Sequence, residues 1–150
     1  MKNKINIFLV IIWMLIIFLF SSFNATESSD QSGVIVKFIA NLFNINNIEL
    51  LSLIIRKLAH FTEYLILGLL VINMMKDYHY SYLIISIIIC IIYAISDEMH
   101  QLFVPGRSCQ LTDILIDSLG SIMGIYLYKR LFIKDAIIKG SLSNNSSTPK

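Results

Sequence analysis

The chain has 150 residues, of which 56% are hydrophobic and 15% are charged, with a formal net charge of +2 and a mean hydropathy of +0.72. An average soluble domain carries about 25% charged residues, and a chain this short exposes too much surface to stay in water with so few. The composition excludes an ordinary soluble domain and favours a membrane protein, and the nearly balanced charge gives no reason to expect nucleic-acid binding.

Four apolar stretches are expected to cross the membrane as helices, at about 5–22, 50–75, 80–98 and 111–132. A helix needs about 20 mostly apolar residues to cross the hydrocarbon core. The first stretch is shorter and follows Lys2 and Lys4, so a cleaved signal peptide is the competing interpretation. Bulky Phe23 stands where a cleavage site needs a small residue, which favours a retained helix.

A short amphipathic helix at the membrane interface is predicted between the first two spans. Its apolar residues recur at helical spacing from Val34 to Phe43, with the start near Ser32 or Gly33. The predicted fold is therefore all-α, a four-transmembrane-helix bundle over residues 1–139 with this additional helix between helices 1 and 2. Ser, Asn, Thr and Pro dominate residues 140–150, which predicts a flexible tail.

Basic residues near the span ends predict the topology, because cytoplasmic loops are enriched in Lys and Arg. With both termini cytoplasmic, the inner side holds eight Lys and Arg against only Asp77 and Asp135. The outer side then holds eight carboxylates and the four remaining basic residues, which are Lys37, Arg56, Lys57 and Arg107. This segregation favours cytoplasmic termini.

Ionisable residues interrupt three spans, always in the half that this topology places outside. The second span carries Lys57, His60 and Glu63; the third ends in Asp97, Glu98, His100 and Gln101; and the fourth carries Asp113 and Asp117. A charged side chain at the bilayer centre costs about 2.5–3.5 kcal/mol. Glu63 and Asp117, the deepest of the set, should therefore turn inward and meet Lys57, His60, His100 or Arg107. Gly120 and Gly124, spaced as G-x-x-x-G, predict close packing of the fourth span.

Four groups of residues form recognisable motifs: Arg56–Tyr64, Ser96–Gln101, Pro105-Gly106-Arg107, and Asp113 with Asp117 and Gly120. Together they resemble the motifs of the VanZ family. The segment Phe20-Ser21-Ser22 is similar to an F-S-S segment of that family, although Phe23 follows where Gln is usual. The resemblance covers about residues 10–130 and all four spans.

The resemblance implies a bacterial four-helix integral membrane protein. Together with the topology predicted from the basic residues, it predicts a multipass protein of the cytoplasmic membrane with its polar site facing outward. The family is named for a protein associated with low-level resistance to teicoplanin-type glycopeptides, which bind cell-wall precursors outside the membrane. The expected partners are the lipid bilayer and a lipid-linked cell-wall precursor or lipoglycopeptide. The positions that match the family pattern are Lys57, His60, Glu63, Asp97, Glu98, His100, Gln101, Arg107, Asp113 and Asp117.

Three functions remain open at this point. The first is binding or modification of an anionic lipid-linked molecule at the outer leaflet, with a phosphate held by Lys57 and Arg107. The ligand-binding candidates are Lys57, Glu98, Gln101, Arg107 and Asp113.

The second function is an intramembrane metal-dependent hydrolase or phosphotransferase. Its candidates for catalysis and for divalent-metal ligation are His60, Glu63, Asp97, His100 and Asp117. No established metal signature is matched. The third is a structural polar core without a ligand. Transport is disfavoured, because four short helices without a repeat supply little pathway.

Overall fold

A computed structural model describes residues 2–23, 25–76 and 81–133, and these form five α-helices. The helices are α1 (Lys2–Ser21), α2 (Ala25–Phe43), α3 (Ile48–Met75), α4 (Tyr82–Gln101) and α5 (Leu111–Tyr128), the last continued by a π-helical turn over Lys129–Ile133. All but α2 are long and apolar enough to cross a membrane. The predicted all-α bundle of four spans, with a further helix between the first two, is thus confirmed. The predicted tail at 140–150 lies outside the described residues.

The predicted bounds differ from the observed ones in two informative places. The helix α2 begins at Ala25, so the start predicted near Gly33 was wrong. Residues 25–32 are mostly polar and carry no apolar period, which is the signal the prediction used. The helix α4 continues through Gln101 instead of ending near residue 98, because Asp97, Glu98 and Gln101 are buried inside the bundle.

Local signals account for the turn between α2 and α3. Asn44 follows the last residue of α2 with a φ of 52°, a left-handed conformation that Asn tolerates better than most residues. Asn47 caps α3, since its side-chain oxygen accepts a hydrogen bond from the Leu50 backbone N–H at 3.0 Å. These two residues set where α3 starts and hence which of its residues face the bundle.

Glycines bring α3 and α5 into backbone contact. A Cβ atom added at Gly68, Gly120 or Gly124 would collide with backbone atoms of the facing helix. Small residues at a helix interface permit this approach where larger ones would hold the backbones apart. The close packing predicted from Gly120 and Gly124 is confirmed, and Gly68 supplies the matching gap on α3.

The first helix is packed into the bundle. The Trp13 indole N–H donates to the backbone oxygen of Glu63 at 2.9 Å, and the Tyr93 hydroxyl donates to the backbone oxygen of Met14 at 2.6 Å. Ile17 is fully buried. These contacts connect α1 to both α3 and α4.

The bundle has two distinct ends. One end holds the predicted site residues, among them His60 and Asp97, and we call it the site end. There α1 and α4 finish, and α3 and α5 begin. At the opposite end, Asn73 donates to Asn6 at 3.3 Å and accepts a hydrogen bond from the Tyr128 hydroxyl at 2.6 Å. The helix termini at this second end carry Lys4, Lys76, Lys129 and Arg130, and we call it the basic end.

Candidate functional site

One side chain from each of three helices meets at the core of the site end. His60 of α3, Asp97 of α4 and Asp117 of α5 each offer a ligand atom, and these atoms all lie within 4.8 Å of one another. Asp97 is 2% exposed and Asp117 is 1% exposed. We call these residues the buried triad. Close approach of α3 and α5 at Gly120, one turn from Asp117, helps to bring the three together.

The carboxylates of the buried triad lack partners. Among the described residues, neither oxygen of Asp117 accepts a hydrogen bond, and Oδ1 of Asp97 is also without one. Buried polar groups are nearly always hydrogen-bonded in folded proteins, and a buried charge is costly unless it is paired. His60 is the only basic side chain in the triad, so two carboxyl groups share one imidazole.

Carboxylates next to the triad have contacts of their own. Glu63 Oε2 lies 3.5 Å from His60 Nδ1, so the predicted meeting of Glu63 with a histidine is observed, but neither atom has a hydrogen-bond partner among the described residues. Glu98 accepts a hydrogen bond from the backbone N–H of Gln110 at 3.0 Å, which ties α4 to the residue that precedes α5. Lys57 pairs with Asp113 and not with Glu63 or Asp117.

Arg107, in the loop between α4 and α5, connects three segments. Its Nε donates to the backbone oxygen of Phe23 at 3.0 Å, and a terminal nitrogen donates to the Gln101 side-chain oxygen at 3.2 Å. Gln101 in turn lies 3.5 Å from Asp97. The pKa of Arg107 is lowered first by burial and then by the positive charge of Arg56, although a guanidinium stays charged in proteins.

A polar cavity of about 60 Å³ opens beside the buried triad. It is lined by Arg56, His60, Gln101, Gly106, Arg107, Ser108, Gln110 and Asp113. The Arg56 side chain forms neither a hydrogen bond nor a salt bridge with the other described residues. Arg56 was not among the predicted site residues. Its spacing of four from His60 was the available signal, because residues at i and i+4 share a helix face.

A second, mainly apolar groove of about 330 Å³ runs between α2 and α3. Val36 and Lys37 contribute to it from α2, and Leu53 and Arg56 from α3. Arg56 therefore lines both the groove and the polar cavity. The two spaces are neighbours, one apolar and one polar, with an unpaired cation at their border.

His100 lies outside the triad, although it was predicted as a candidate alongside His60. Its Nε2 is 3.1 Å from the Ser22 hydroxyl, and its ring packs on Phe18 with the ring centroids 4.3 Å apart. The end of α1 thus contacts His100 through Ser22 and Arg107 through Phe23. The Phe20-Ser21-Ser22 segment was recognised in the sequence, but its contact with His100 through Ser22 is seen only in the structure.

No curated protein and no solved structure matches the chain. A family model described as VanZ/LLP1 matches residues 6–134, which include nearly all of α1, the other four helices, the buried triad and the polar cavity. The chain therefore belongs to the VanZ family and is a multipass membrane protein.

Proposed function

We propose that this protein binds an anionic, lipid-linked molecule at the outer leaflet of the bacterial cytoplasmic membrane, and that it contributes in this way to resistance to teicoplanin-type glycopeptides. The observation that carries the binding proposal is that Arg56, whose side chain has no carboxylate partner among the described residues, lies beside Arg107 in one polar cavity. The resistance proposal comes from the family alone.

The charge of the cavity suits an anionic headgroup. Arg56 and Arg107 face the same small space, and their mutual repulsion contributes to the lowered pKa of Arg107. An anion between them would relieve this repulsion. Guanidinium groups bind phosphate through paired charge-assisted hydrogen bonds, whereas Lys57, the other predicted phosphate ligand, is already paired with Asp113.

The apolar groove suits a hydrocarbon chain. Because Arg56 lines both spaces, a lipid phosphate bound at Arg56 would leave its chain at the mouth of the groove between α2 and α3. Ligand sites commonly combine a mostly apolar wall with a few polar groups that orient the ligand.

The orientation follows from the charges at the basic end. Lys4, Lys76, Lys129 and Arg130 flank spans there, and such residues are enriched on the cytoplasmic side. The site end would then open to the outer leaflet, where lipid-linked cell-wall precursors are exposed.

Arg56→Gln is expected to weaken binding of a polyprenyl phosphate to the purified full-length protein by about tenfold or more, because a hydrogen bond to a charged group contributes about 1.5–3 kcal/mol. The affinity is measured by titrating polyprenyl phosphate into the protein in detergent and quantifying the bound fraction by native mass spectrometry. The affinity of the wild type for the uncharged polyprenol should be no higher than the affinity of Arg56→Gln for polyprenyl phosphate.

The matched control is Arg130→Gln, which removes an exposed arginine at the basic end and should leave the affinity unchanged. Leu53→Trp should fill the groove and weaken binding of the polyprenyl phosphate, but not of a phosphate ester with a short chain. Equal affinities for the phosphate and the alcohol would contradict the proposal.

A membrane-impermeant maleimide should label Cys109 in intact cells. Cys109 is partly exposed in the loop at the site end, whereas Cys90 is fully buried in α4. The label should therefore be lost in Cys109→Ser and kept in Cys90→Ser. Labelling that occurs only after lysis would contradict the proposed orientation.

A second function, intramembrane hydrolysis or phosphoryl transfer, is favoured by one observation. His60 lines the polar cavity and also belongs to the buried triad, so a bound phosphate ester would lie beside candidate acid–base groups. Mass spectrometry of the recovered lipid distinguishes the two functions, because turnover changes the mass of the lipid and binding does not.

A further inference from the structure

We propose that the buried triad of His60, Asp97 and Asp117 is a divalent-cation site. This inference goes beyond the recognition of an anionic lipid and does not depend on it, because the residues that would hold the cation are not the two arginines that would hold the headgroup.

The geometry of the triad matches the requirements of a small cation. One imidazole and two carboxylates, from three different helices, offer atoms within 4.8 Å of one another. Two ligand atoms that each lie about 2.0–2.2 Å from one ion are separated by no more than twice that distance, which is less than 4.8 Å. Three protein ligands with one position left open is an arrangement typical of catalytic metal sites.

Burial and missing partners argue that the triad is not merely a structural polar contact. The Asp117 side chain is buried, with only 1% exposed, and both its carboxylate oxygens lack hydrogen-bond donors in the described part of the chain. Asp97 is 2% exposed and its Oδ1 is equally unpartnered. A structural network would satisfy these oxygens with donors, whereas a divalent cation would bind one oxygen of each carboxylate and balance the two negative charges.

The surrounding residues are arranged to hold such a site. Glu63 Oε2 lies 3.5 Å from His60 Nδ1 without a hydrogen bond between them, so only a small shift would let this carboxylate accept from the ring N–H and orient it, as carboxylates beside metal-bound histidines commonly do. The side-chain nitrogen of Gln101 lies 3.5 Å from Oδ2 of Asp97, and Oδ1 of that carboxylate has no hydrogen-bond partner in the described part of the chain. Lys57 is withdrawn from the triad by its pairing with Asp113.

The donor set narrows the choice of ion. One nitrogen and two carboxylate oxygens, with no thiolate, suit Zn²⁺ or Mn²⁺. Cys90 and Cys109 are not part of the triad. Mg²⁺, which usually keeps several waters and uses few protein ligands, should bind more weakly at a site this buried.

The test is metal analysis of the full-length protein, purified in detergent with a tag that contains no histidine. Metal is first removed with a chelator, and separate samples are then loaded with Zn²⁺, Mn²⁺ or Mg²⁺ and dialysed. Inductively coupled plasma mass spectrometry measures the number of ions retained per chain. We expect about one Zn²⁺ or Mn²⁺ per wild-type chain, and at least a tenfold lower content in Asp117→Asn and in His60→Gln. Glu49→Gln, which changes an exposed carboxylate at the start of α3, should keep the wild-type content.

Thermal unfolding separates loss of the site from loss of the fold. The ion should raise the unfolding temperature of the wild type and of Glu49→Gln but not that of Asp117→Asn. Without metal, Asp117→Asn should be at least as stable as the wild type, because it removes a buried unpaired carboxylate. The proposal is overturned if the wild type retains none of the three ions, or if folded Asp117→Asn and His60→Gln retain as much as the wild type.

Discussion

Gly124→Ala is expected to separate α3 from α5 and to destabilise the bundle by about 3 kcal/mol, the upper part of the usual range for overpacking. The added methyl group would meet the backbone oxygen of Leu65, and a backbone atom within a helix cannot move aside as the end of a flexible side chain can. Thermal unfolding of the purified protein in detergent, monitored by circular dichroism, measures the loss.

Gly33→Ala is the matched control for this substitution. Gly33 lies in α2 with nothing near the position of an added Cβ atom, so alanine there should leave stability unchanged or raise it by up to about 1 kcal/mol through helix propensity. If Gly124→Ala were as stable as the wild type, the close approach of α3 and α5 would not exist in the membrane protein.

The same packing argument extends to the site. Gly120→Ala would place a methyl group against the backbone oxygen of Phe61, one turn from Asp117. Moving α5 away from α3 at this level would carry Asp117 away from His60. We therefore expect Gly120→Ala to weaken ion binding even at temperatures where the protein stays folded.

Under the proposed function, expression of this protein raises the teicoplanin resistance of a susceptible host, and Arg107→Gln is expected to abolish that increase. The substitution removes one of the two arginines of the polar cavity. It also removes the hydrogen bonds that tie the loop to Phe23 and Gln101. The minimal inhibitory concentration of teicoplanin for a susceptible host that expresses the full-length chain measures the effect.

Arg107→Lys separates the two contributions of this side chain. Lysine keeps the charge but lacks the planar, forked donors that reach two acceptors at once, so it should retain only part of the resistance. Lys129→Gln at the basic end should retain all of it. Immunoblots of membrane fractions control for abundance, and Arg107→Gln at normal abundance with undiminished resistance would contradict the role of the cavity.

Much of the architecture could be predicted because its causes are local. Each span is recognisable from its own apolar residues, since the hydrocarbon core requires a helix of a minimum length wherever it is crossed. The close packing at Gly120 and Gly124 was equally visible, because helix geometry places residues four apart on one face. The start of α2 was missed for a related reason: residues 25–32 form helix without an apolar period to reveal it.

The pairing of the site residues could not be predicted from spacing. Lys57, His60 and Glu63 lie near one face of α3, yet Lys57 pairs with Asp113 while His60 meets Asp97 and Asp117. His100 turns toward the end of α1 and away from the triad. These outcomes depend on how far each helix is rotated about its axis, and interhelical packing decides that rotation.

The gathering of polar residues from three spans at one end of a helical bundle follows from the amino-acid sequence, because a charged side chain that faces lipid is costly and therefore turns inward. The position of Arg56 between the cavity and the groove is seen only in the folded structure, as is the lack of donors to the Asp117 oxygens among the described residues. The burial and the hydrogen-bond partners of a side chain depend on the shape of the space between helices, because that shape is set by contacts between residues that are distant in the sequence.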